Sequence, residues 1–76
     1  MIAPTFNLSQ ALSRAMSAYN AGKLVEAEQL CRQIINTKRD LFDALHLLAV
    51  VQSRLGKKDT ALASYDRALK VRPDYA

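Results

Sequence analysis

Glycine and proline are scarce, with two of each in 76 residues. Collagen-like, linker-like and turn-rich β architectures need far more of both, so they are excluded. The single cysteine, Cys31, excludes a disulfide framework and a cysteine-based zinc site. Long apolar runs are missing too. The longest stretches only from Leu47 to Val51, against roughly 20 residues for a membrane-spanning helix. The opening Met-Ile-Ala-Pro-Thr-Phe-Asn has no basic segment, so no secretory signal is expected. With a lone cysteine, these absences lead to the expectation of a cytoplasmic chain.

What is present is ordinary for a globular chain: half the residues are apolar and 24% are charged. At this size only about 60% of the extended-chain surface is buried on folding, so one small and marginal domain is the most the length allows. The net charge is +4. The basic side chains, Arg14, Arg32, Arg54, Lys57, Arg67 and Lys70 among them, are scattered between acids rather than gathered into a patch. That reads as solvated helix surface. A small basic helical-repeat binder of RNA is the alternative, and nucleic acid is the less expected partner.

An offset of 34 residues superimposes the chain on itself. Ala15 falls on Ala49, Gly22 on Gly56, Lys23 on Lys57, Ala27 on Ala61 and Asp40 on Asp74. Apolar character is kept at Leu8 and Phe42, Met16 and Val50, Cys31 and Tyr65, and Ile35 and Leu69. Each unit reads as two helices around a glycine turn. Asn7 is placed to cap the first helix, with Gln10 three residues on. Leu8, Ala11, Leu12, Ala15, Met16 and Tyr19 then follow at helical spacing, and Gly22 stops the helix. The second helix starts near Leu24, with Glu26 and Glu28 in its first turn and Lys38 and Arg39 near its end. Asp40 is expected to cap the third helix, which ends at Gly56. The fourth runs from about Lys58 to Val71, and Pro73 prevents its continuation. No stretch alternates as a strand would, so the class is all-α.

A 34-residue helix–turn–helix period resembles the tetratricopeptide repeat. In the second unit, Leu45, Leu48, Ala49, Gly56, Ala61, Tyr65, Ala68, Leu69 and Pro73 stand where that family's pattern expects large, small, aromatic, glycine or proline residues. Gln52 departs from it. In the first unit Arg14 replaces a core leucine and Arg39 the proline. The resemblance implies a lead over residues 1–7, one repeat over 8–41 and a second over 42–75. It implies four antiparallel helices in a short right-handed α-solenoid that serves protein–protein interaction. Asp74-Tyr75-Ala76 repeats Asp40-Leu41-Phe42, which suggests the start of a further unit and a fragment or minimal unit of a longer array.

In such repeats the first helix of each pair lines a concave groove. Carried over, the groove here comprises Leu12, Met16, Tyr19, His46, Leu47, Val50 and Arg54. The cationic clamp by which some members grip a peptide C-terminus is absent, so the expected partner is an apolar helix or segment. Leu62 and Leu69 fall on a face of the last helix not needed within its own pair. They are expected to drive self-association, by head-to-tail stacking, by a two-fold contact or by helix exchange. His46 is expected to face solvent in the groove, Cys31 to be a buried inert thiol, and Lys57-Lys58 to be a hydrated loop pair. No phosphate loop, nucleophile elbow or zinc-binding pair of histidines occurs. Neither an enzyme nor a cofactor or metal is expected.

Overall fold

The computed structural model describes residues 7–73. They form four helices: α1 Leu8–Asn20, α2 Leu24–Thr37, α3 Phe42–Arg54 and α4 Lys58–Val71. Asp74-Tyr75-Ala76, read above as the opening of a further unit, lies outside the described residues. The helices pack in chain order, α1 on α2, α2 on α3 and α3 on α4, while α1 touches α3 more lightly. The molecule is a row of helices with α3 at its centre.

The two turns show that the units repeat in three dimensions. Gly22 and Gly56 have φ of +80° and +82°. At each, the amide just beyond the glycine donates five residues back, Lys23 N to Ala18 O at 2.8 Å and Lys57 N to Gln52 O at 2.9 Å. The glycine amides donate three back, to Tyr19 O and Ser53 O. This closes the orphan carbonyls of α1 and α3 in the same way. A Cβ at Gly56 would meet nothing within 4 Å. Gly56→Ala therefore isolates the backbone cost of a left-handed residue, and a loss of about 1–2 kcal/mol is expected in a denaturant melt.

Helix starts follow the sequence less evenly. Asn7 caps α1, its side chain accepting from Gln10 N at 3.1 Å. Asp40 does not cap α3. Leu41, in extended conformation, holds that position without a side-chain cap, and Asp40 lies one residue too early, paired with Lys38 at 3.7 Å. Glu28 is not in the first turn of α2, where Glu26 is the only acid. Lys38 and Arg39 lie beyond α2, which ends at Thr37.

Small residues set the close crossings. Ala15, Ala27 and Ala49 are fully buried and Ala61 nearly so. The main core gathers Cys31, Ile34 and Ile35 of α2 with Phe42, Ala44, Leu45 and Leu48 of α3 and Ala68 of α4. A smaller cluster of Ala18, Ala27 and Val51 joins the glycine-turn ends of α1, α2 and α3. Arg14, which departs from the repeat pattern, is exposed on the outer face of α1.

Candidate protein-binding groove

Side chains of α1 and α3 meet around an open cavity of ≈ 480 Å³. From α1 it takes Leu12, Met16, Tyr19 and Asn20, and from α3 Asp43, His46, Leu47 and Val50. Helical spacing puts 12, 16 and 19 on one stripe and 43, 46, 47 and 50 on another. The α1–α3 crossing sets the two stripes side by side. Six of the seven groove residues read from the sequence thus share one cavity. Arg54 is not in its wall, but its guanidinium lies 5.4 Å from the centre of the Tyr19 ring, where a cation–π contact orients the ring.

The cavity is mostly apolar, and its side chains differ in what else they do. Leu12 and Leu47 also pack on the core. Met16 is 51% exposed, so it is not committed to holding the helices together. His46 is half-buried rather than facing solvent. Its ring stacks on Phe42 with centroids 5.6 Å apart and meets the edge of Tyr65 at 6.0 Å. Phe42 and Tyr65 belong to α3 and α4, so these ring contacts hold the histidine against its own helix pair while it lines the groove.

A polar network lies on the opposite side of the row. Lys57 Nζ donates to both carboxylate oxygens of Glu28, at 2.9 and 3.1 Å. Gln52 Nε2 and Arg32 Nη2 each donate to Glu28 Oε2 at 3.4 Å. Ser64 Oγ donates to Gln52 Oε1 at 2.7 Å. Gln52 is 1% exposed, and Glu28 and Ser64 are buried. Among the described residues no buried side-chain nitrogen or oxygen lacks a partner. Lys57 is exposed in the turn, as is Lys58, but it also bridges the α3–α4 turn to α2. Burial pushes the Glu28 carboxyl up, but hydrogen bonds from Lys57 and Gln52 and the charges of Lys57 and Arg32 outweigh it. The net result holds Glu28 below its ordinary value.

Cys31 is fully buried. Burial, and secondarily the Glu28 charge, pushes its thiol up to about 12. It stays protonated at neutral pH and is a packing residue. Among the described residues no three His, Cys, Asp or Glu side chains gather as a metal site requires. None of the helices there is long and apolar enough to cross a membrane.

Paired antiparallel helices, identical glycine turns at a 34-residue offset and a lateral groove define a helical-repeat protein. Residues 43–75 match the family model of the tetratricopeptide repeat. The match covers the α3–α4 pair, and α1–α2, outside it, copies the same turn and helix order. No curated protein and no solved structure gives a significant match to the chain. Repeats of this family are non-catalytic modules for protein–protein interaction.

Proposed function

We propose that α1 and α3 hold an apolar helix or extended segment of a partner protein in the groove between them. The observation that carries this is the exposure of Met16 in a cavity where Leu12, Leu47 and Val50 supply apolar wall beside Tyr19, His46, Asn20 and Asp43. Methionine adapts its shape to a ligand at low cost, and an amphipathic helix offers apolar side chains at matching spacing. The net charge of +4 favours partners with an acidic or neutral polar face. Titrating labelled protein with amphipathic helical peptides should move the amide signals of residues 12, 16, 19, 47 and 50. Met16→Lys with Val50→Lys should abolish binding while leaving the helical signal intact. Peptide contacts confined to α2 and α4 would overturn the reading.

A second reading, self-association, rests on a comparison inside the chain. At the 34-residue offset Glu28, Cys31 and Ile35 of α2 correspond to Leu62, Tyr65 and Leu69 of α4. The first three are buried under α3, whereas Leu62 and Leu69 are 66% and 46% exposed. A helix related to α3 fits there. The outer face of α1 is a poor candidate, because exposed Gln10, Arg14 and Ser17 replace the buried Ala44, Leu48 and Val51 of α3. This favours a closed two-fold contact of α4 faces over head-to-tail stacking. Light scattering should give a dimer mass at high protein concentration, and Leu62→Glu with Leu69→Glu should return a monomer. A parent chain that stays monomeric at millimolar concentration defeats the idea.

A further inference from the structure

The side of the row away from the groove carries a second cavity, of ≈ 390 Å³, between α2 and α4. The two helices are held apart by α3, and no Cα of one comes within 8 Å of the other. Arg32 and Asn36 stand one turn apart on the α2 wall, and Thr60 and Arg67 two turns apart on the α4 wall. Ile35, Leu48 and Ala63 supply apolar lining. Among the described residues no carboxylate lines the cavity. Glu28 is near but is already occupied by Lys57, Gln52 and Arg32. Arg32 uses one nitrogen on it, at 3.4 Å, and keeps its other donors. Arg67 has no ion-pair partner among the described residues.

We propose that this cavity binds a phosphomonoester carried on a small apolar group. Two arginines, a threonine and an asparagine in the wall of one cavity carry the donors that a dianion needs. The apolar residues suit the organic part of the ligand. Such a ligand bridges α2 and α4, which otherwise meet only through α3. Binding is thereby linked to the packing of one repeat on the next, and the ligand stabilises the folded chain.

The probes are phenyl phosphate and inorganic phosphate, each compared with sodium chloride at matched ionic strength. Phenyl phosphate should raise the melting temperature and move the amide signals of residues 32, 36, 60 and 67. Inorganic phosphate should bind more weakly, because it leaves the apolar lining unused. Arg67→Ala should weaken phenyl phosphate at least about tenfold, the size expected for losing a hydrogen bond to a charged group. This residue is exposed and unpaired, so the variant should melt like the parent without ligand. Lys70→Ala, outside the cavity, should bind normally. A shift that chloride reproduces, or that survives in Arg67→Ala, overturns the proposal. An equal loss in Lys70→Ala overturns it as well, since binding would then follow net charge alone.

Discussion

Leu45→Ala should lower the melting temperature by at least about 10 °C, the consequence of losing about 2–5 kcal/mol from a domain this small. Leu45 is 1% exposed and sits in α3, the helix that both α2 and α4 pack against. Its core neighbours Ile34, Ile35, Leu48 and Ala68 come from all three helices. Collapse of the walls into the vacated space would require α2 and α4 to move inward together. Ala44, Ala49 and Ala68 already bring the backbones close, so there is little slack for that movement. The cavity therefore persists, and the cost lies in the upper part of the range. Thermal denaturation followed by helical circular dichroism checks this. Leu62→Ala, on the exposed face of α4, is the control and should change little in dilute solution. A Leu45→Ala melt that overlays the parent would show that α3 is not the shared core element.

Much of this architecture could be read from residue types because a 34-residue offset repeats its most constrained positions. Gly22 and Gly56 are needed for positive φ, and Ala15, Ala27, Ala49 and Ala61 for close crossing. Both requirements exclude nearly every other residue, so they leave a trace in the chain. Six groove residues were legible for a related reason: helical spacing fixes which side chains share a stripe. Arg54 followed the same spacing, but its length let it turn onto Tyr19. The start of α3 was misread because aspartate before a helix is a statistical signal, whereas the cap position depends on where the backbone turns. In Asp40-Leu41-Phe42 that turn comes one residue later. The polar network was missed for a different reason. Glu28, Gln52 and Ser64 each look like single departures from an apolar pattern, in three different helices. Only the packing of α3 between α2 and α4 shows that the three departures meet. Buried polar residues that break a repeat pattern together are the signal available for such a network.

That network sets up the second large effect. Lys57→Met should destabilise the chain by about 1–3 kcal/mol at pH 7, because the buried Glu28 carboxylate loses its closest partner while the half-exposed lysine itself is screened by solvent. Glu28 would keep only the longer contacts from Gln52 and Arg32 at 3.4 Å. Among the described residues, Lys57–Glu28 is also the only ion pair joining the α3–α4 unit to the α1–α2 unit. The pH dependence distinguishes lost charge pairing from lost packing. In the parent the Glu28 carboxyl titrates below its unfolded value of about 4.5. Its contribution is fully present above that pH and is lost as the pH falls through the lowered folded value. Without Lys57, two of the influences that lower the folded value are gone and burial, the largest single one, moves it back up. The ionised carboxylate then contributes less to folding at neutral pH than in the parent, and the difference fades as acid protonates it. The stability gap between parent and Lys57→Met should thus shrink from pH 7 to pH 4. Adding Glu28→Gln to Lys57→Met should recover part of the loss at pH 7, since the buried charge is gone. Denaturant melts at the two pH values measure both effects. A gap that stays constant with pH, together with no recovery in the double variant, would assign the loss to the lysine's methylene packing and remove the charge network from the account of how the two repeats are joined.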